Sequence, residues 1–165
     1  MELTSGLTLV TVPQPILRQK ARPVSAITED IKILAEKMII ALTEFKGVGL
    51  AAPQVNQSVR LIVVLDNKGG ATVMINPEIT FKSKGRAVGE EGCLSVPGVF
   101  GMVGRAVKIR YKYLNLEGKK VVGKAKGLEA IIVQHECDHL DGTLFIDKAQ
   151  NIVEGQSELD HQLAI

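Results

Sequence analysis

The 165-residue chain has no tryptophan, two tyrosines and four phenylalanines, so aliphatic side chains must build most of its core. It has two cysteines, too few for the disulfide framework of a small secreted domain; in a reducing compartment such thiols are more often reactive or metal-bound. Apolar runs such as those at 61–65 and 130–133 fall far short of the ~20 residues that cross a bilayer. Residues 1–12 lack a basic stretch leading into an apolar one, which argues against a secretory signal. A cytoplasmic location is therefore expected. A net charge of +2 gives no reason to expect a membrane partner or sequence-specific nucleic-acid binding. Repeats, low-complexity tracts and Ser/Gly/Pro-rich linkers are absent, and the length suits one domain over 1–165, with 151–165 a short polar tail or helix.

What is present reads as an α+β pattern. Pro13, Pro15 and Pro23 break residues 3–24 into an extended, wrapped segment. A helix is predicted over 28–45: Thr28 caps it, Glu29 and Asp30 suit its first turn, and Ile31, Leu34, Met38, Leu42 and Phe45 line one face. Strands are predicted at 59–65, 71–76, 106–113 and 120–123. The third alternates, with Val107, Ile109, Tyr111 and Tyr113 on one face and Lys108, Arg110 and Lys112 on the other, which reads as a solvated face in preference to an RNA-facing one. A second helix is predicted over 128–140, with Gly142 placed to end it. Helices segregated from hairpin-connected strands describe an α+β domain.

The second helix carries His135-Glu136-Cys137-Asp138-His139. Residues four apart share a helix face, so both imidazoles can reach one metal ion, with a carboxylate beside them to move a proton. A third ligand has to come from elsewhere. Cys137 lies about 200° around the helix from His135 and suits a buried structural role. Phe145 occupies the position of a third histidine in the long zincin pattern, Glu154 and Glu158 offer carboxylates for a peptidase-type site, and His161 reads as a solvated residue. Cys93 sits in Glu90-Glu91-Gly92-Cys93-Leu94-Ser95-Val96-Pro97-Gly98, which reads as an irregular loop able to present a thiolate together with backbone N–H groups. Alone it would be a small buried hydrophobe; beside a helix short of a ligand it becomes a candidate. A structural zinc module would need a fourth protein ligand and leaves Glu136 without a task. A third segment, Gly47-Val48-Gly49-Leu50-Ala51-Ala52-Pro53-Gln54, is no phosphate loop; it is either a tight connection or a wall that closes on a ligand.

Taken in order, a glycine-rich segment ending in Gln54, the Glu-Gly-Cys-Leu-Ser run at 91–95 and the Gln-His-Glu-Cys-Asp-His-Leu run at 134–140 resemble peptide deformylase. The resemblance extends from the Pro-interrupted N-terminal segment through Leu144-Phe145-Ile146-Asp147. It implies antiparallel or mixed sheets around a central HExxH helix, and a hydrolase that removes the N-formyl group from the initiator methionine of nascent polypeptides and releases formate. It also implies that Cys93, His135 and His139 bind the metal, that Glu136 is the acid/base, and that the Gln54 side chain and the Leu94 N–H stabilise the oxyanion. Fe²⁺ is the metal the resemblance implies, with Zn²⁺, Ni²⁺ or Co²⁺ expected to substitute; ligand softness alone points to zinc. Asp138, three residues past His135, is a candidate to orient a ligand imidazole or, equally, to make a structural hydrogen bond.

Ile131 and Leu128 extend the metal-facing stripe of the helix and, with Ile132, Val48 and Gly49, are expected to form a methionine pocket. The chain departs from many relatives in three places. Gly89 stands where they carry an apolar pocket residue, which implies a more open pocket, and Phe100 stands where they use an arginine near the substrate backbone. The stretch 151–165 has no Lys or Arg, so ribosome proximity, if any, would not rest on a basic C-terminal helix.

Overall fold

A computed structural model describes residues 4–164. Helix α1 spans Glu29–Glu44, its first turn closed by Thr28, whose hydroxyl accepts from the Ile31 N–H. Its apolar stripe buries Ala35, Met38, Ala41 and Leu42. Eight strands follow in chain order: β1 (Gly49–Ala51), β2 (Leu61–Leu65), β3 (Ala71–Lys82), β4 (Arg86–Cys93), β5 (Val96–Ala106), β6 (Lys108–Leu114), β7 (Lys120–Lys126) and β8 (Ala149–Glu154). Helix α2 (Gly127–Leu140) comes between β7 and a single helical turn, α3 (Phe145–Lys148), and α4 (Gln156–Leu163) follows β8. The strands form two sheets, β1-β2-β3-β6-β7 and β4-β5-β8, and every strand pairing within them is antiparallel. This is the expected α+β class.

The uniformly apolar β2 is explained by burial on both faces, since successive side chains alternate across a strand. Leu61 and Val63 join Met38 and Leu42 of α1, whereas Ile62 and Val64 join Val133, Cys137 and Leu140 of α2. A third cluster joins Val99 and Val103 of β5 to Leu144, Phe145 and Leu159, with Val12 and Leu17 packed in from the N-terminal segment. Helix α2 is buried around most of its circumference, so it lacks the amphipathic contrast of a surface helix. Gln134 ties it to the end of β5: its amide donates to Ala106 O at 2.9 Å and accepts from Ala106 N at 3.1 Å. The helix ends where expected, with Gly142 at φ +72°. Among the described residues no helix is long and apolar enough to cross a membrane.

Several expectations about elements change. The stretch expected as a polar tail or helix from 151 opens as strand β8, paired to β5, and turns helical only at Gln156. The strand expected at 120–123 runs on to Lys126 in register with β6. The stretch read as an irregular loop around Cys93 is a long hairpin, β4 against β5, closed by the two residues Leu94 and Ser95 between paired Cys93 and Val96. Two of its glycines accommodate close neighbours: at Gly92 a side chain would meet the Phe100 ring, and at Gly101 it would press on Ala149 and Asn151 of the adjoining β8. Strand β3 does not stop at Asn76 but continues to Lys82 past a bulge between Ile75 and Glu78, where Pro77 sits outside the ladder register. The strand expected from 106 begins at Lys108, because Ala106 closes β5.

Candidate active site

Helical spacing stacks His135 and His139 one turn apart, with ring centroids 5.1 Å apart. The β4 hairpin delivers Cys93 to them: its Sγ lies 3.2 Å from His139 Nε2. One donor atom from each of Cys93, His135 and His139 lies within 4.8 Å of the others, and among the described residues they form the single cluster of this kind. Glu154 and Glu158 are exposed and outside it, as is His161 on α4. Cys137 points into the core, where burial pushes its thiol up to about 12. Phe145 packs its ring against His135, centroids 6.3 Å apart.

Behind this cluster is an ionic chain whose connections the sequence does not reveal. Side chains two apart on a strand share a face, so Glu91 points the same way as Cys93. Its Oε2 lies 2.9 Å from His135 Nδ1, which leaves Nε2 of that ring for the cluster. Arg105, 3% exposed, grips both Glu91 oxygens at 2.8 and 3.0 Å. Its remaining amine reaches Asp138 at 2.5 Å, and Lys148 reaches the same carboxylate at 2.9 Å. Asp138 therefore orients no imidazole; it holds Arg105, and Glu91 makes the contact with the ring. No local pattern announces Arg105. A lone arginine in an otherwise small and apolar strand is the one signal the sequence offers.

The electrostatics follow from these contacts. Burial pushes the Glu91 carboxyl up, but the hydrogen bonds and charges of Arg105 and His135 outweigh it and hold it at about 2. Burial likewise opposes charge on His135, and its bonds to Cys93 and Glu91 raise it to about 10. His139 goes the other way, held well below its usual value by burial and by its neighbour His135. Two imidazoles and a thiol converge, and one imidazole is backed by a carboxylate. That donor set fits a transition-metal ion.

Two further groups flank the cluster. Glu136 is 4% exposed, and its Oε2 has no hydrogen-bond partner among the described residues. Burial is the chief cause that raises it to about 7. The backbone of β1 passes directly over it, and a Cβ at Gly49 would overlap its carboxylate. Gln54 is equally buried, and its Oε1 accepts from the Ala51 N–H at 2.9 Å. That bond directs the amide N–H₂ to Ser95 Oγ at 3.1 Å and towards Cys93 Sγ at 3.6 Å. Ser95 in turn donates to Val10 O at 2.7 Å, so the N-terminal segment braces this wall.

A cleft of about 760 Å³ opens over these groups. Of the expected pocket residues, Val48, Gly49, Leu128, Ile131 and Ile132 line it, with Val48 and Leu128 largely exposed at its mouth. Gly89 does not. It lies further back along β4 opposite Val103, and a Cβ there would meet nothing within 4 Å. Leu94 and Phe100 line the cleft, and so do Leu9 and Phe45, which no sequence motif singles out.

A model of the polypeptide deformylase family matches residues 7–154. The chain is 47% identical over 144 residues to a peptide deformylase of Desulforudis audaxviator, covering 87% of this chain and 94% of that one. It is 49% identical over 144 residues to that of Halothermothrix orenii, with coverages of 87% and 93%. Among solved structures, the peptide deformylase of Thermotoga maritima superposes with a TM-score of 0.85 at 40% identity, covering 88% of this chain and 98% of that one. A class I type b peptide deformylase from Acinetobacter baumannii, crystallised with Met-Ala-Ser bound, superposes at 0.82 with 42% identity, covering 86% and 97%.

Proposed function

The chain belongs to the polypeptide deformylase family, and from that premise we propose which of its residues carry out the reaction. The activity itself is metal-dependent hydrolysis of the N-formyl group of nascent polypeptides, which yields formate and a free amino terminus. The observation that carries the assignment of roles is the convergence of Cys93, His135 and His139 beside a cleft that Glu136 and Gln54 also line.

Cys93, His135 and His139 would hold the ion, with Glu91 fixing the His135 ring and Arg105 fixing Glu91. When bound, the ion supplies Lewis acidity, lowering the pKa of water and polarising the formyl carbonyl. Fe²⁺ is the physiological ion in this reading, and Zn²⁺, Ni²⁺ or Co²⁺ suit the same donors. Glu136, raised towards neutrality by burial, accepts the proton of the attacking water. As the C–N bond breaks it returns that proton to the departing amine. The Gln54 amide and the Leu94 N–H stabilise the charge that develops on the carbonyl oxygen. Val48, Leu128, Ile131 and Ile132 receive the methionine side chain.

One catalytic domain is the reading proposed for this chain, since the cleft draws on residues from Leu9 to Glu136 and β8 completes the sheet that carries Cys93. Two free thiols suit a reducing cytoplasm. Formate release from formyl-Met-Ala-Ser by protein of measured metal content tests the assignment. Turnover that tracks metal content supports it, and turnover by metal-free protein refutes it.

A further inference from the structure

The five-stranded sheet is covered unevenly. On one side α1 packs over β1 and β2, with Val73 and Ile75 of β3 and Leu114 at the end of β6 in the same cluster; beyond Leu114, among the described residues, the same side of β6 and β7 has no helix on it. The register sets out what this bare surface presents. Lys108 lies directly opposite Lys126, Arg110 opposite Lys124, and Lys112 opposite Val122, with Lys120 one pair further along. In the sequence, Lys108, Arg110 and Lys112 read first as a solvated strand face, with an RNA-facing surface as the alternative. The pairing doubles them with three lysines from a segment in which no such face is apparent.

Six cations thus share a surface with one acid, Glu78, which is engaged with Lys112 at 3.1 Å. Among the described residues, the other five make no ion pair. Like charges directly opposite on neighbouring strands are destabilising, so the arrangement costs the fold something. Lysines on an edge strand blunt sheet-to-sheet aggregation, which would account for β7. It does not account for Lys108 and Arg110, which lie on an interior strand. Beside them Phe81 of β3 is 48% exposed, with the Arg110 guanidinium 5.3 Å from its ring centroid. An exposed guanidinium–phenyl stack amid unpaired cations suits a polyanion that also carries flat apolar rings.

We propose that this β6–β7 face, with Phe81, is a docking surface for unpaired RNA: the lysines meet phosphates, and Arg110 on Phe81 offers a platform on which a base stacks. Recognition would follow backbone charge and exposed bases rather than sequence. The buried side of the same strands, Ile109, Tyr111 and Ala125, packs against α2. The docking face is therefore the reverse of the layer that holds the catalytic helix, and a bound RNA leaves the cleft open to a peptide.

The test is fluorescence anisotropy with the intact protein and a labelled single-stranded RNA of about 16 nucleotides. If about four cations engage phosphates, affinity falls about 50-fold between ~50 and ~200 mM salt. The triple variant Lys108→Gln/Lys124→Gln/Lys126→Gln should flatten that salt dependence and abolish most binding, and Phe81→Leu should weaken binding roughly tenfold. Turnover of formyl-Met-Ala-Ser should be unchanged in both variants, which also shows that they fold. Binding that ignores salt, or that survives the triple substitution, overturns the proposal. So does equal affinity for duplex DNA or heparin with no effect of Phe81→Leu, and so does tighter binding to phosphatidylserine vesicles than to RNA.

Discussion

Glu91 Oε2 and His135 Nδ1 lie 2.9 Å apart, and Arg105 holds that carboxylate with two further bonds. The ring's orientation, and hence which nitrogen faces the ligand cluster, is set by a residue 44 positions earlier on a different element. Replacing Glu91 by Ala should weaken metal binding about 10–100-fold, as loss of a partner to a ligand imidazole usually does. Competition against a chromophoric chelator measures this, and unchanged affinity would show the contact to be incidental.

Arg105→Met makes a separate prediction about stability. It leaves Glu91 without its arginine and Asp138 with Lys148 alone, and removing one partner of a buried pair costs about 3–5 kcal/mol. Lys148→Ala removes a half-exposed partner of the same Asp138 and should cost no more than about 1 kcal/mol. Urea denaturation of the two variants gives the comparison. Equal losses would contradict the central place given to Arg105.

Gly49→Ala should preserve the fold and impair turnover. The added methyl would collide with the Glu136 carboxylate, and displacing a proton-transfer group by about 1 Å can cost on the order of 10²-fold in kcat. Circular dichroism and steady-state kinetics together decide it; an undiminished kcat would mean that Glu136 has room to step aside.

The two cysteines should separate cleanly. Cys93→Ser should lose metal, whereas Cys137→Ser, in the core on the far side of α2, should retain full stoichiometry. If the iron form is the physiological one, it should lose activity in air as its thiolate and ion oxidise, and the nickel form should persist. Metal analysis and aerobic half-lives check both expectations. Equal half-lives for the two forms would count against an oxidisable iron–thiolate centre.

Much of this site is legible in the sequence because its central residues fall into short local patterns. His135 and His139 are four apart on a helix, and Cys93, Gln54 and Glu136 each sit in a compact motif. The connections that stay hidden in the sequence are long-range. Arg105 meets Glu91 across the β4–β5 hairpin, β8 joins β5 from nearly fifty residues away, and Lys124 faces Arg110 only once the register of two strands is known. Helical proximity leaves Asp138 open to an imidazole or to a structural partner, and it is a cation on β5, Arg105, that claims it. The glycine-rich hairpin reads as a loop because Gly92 and Gly101 serve close packing, which local propensity cannot distinguish from turning.

The most direct test of the account is Glu136→Ala, because that carboxylate is placed beside the ligands without being one of them. The variant should fold, bind metal at the stoichiometry of the unaltered protein, and lose about 10²–10⁴-fold in kcat on formyl-Met-Ala-Ser with a much smaller change in KM. A metal-replete Glu136→Ala protein with near-normal kcat would contradict the account.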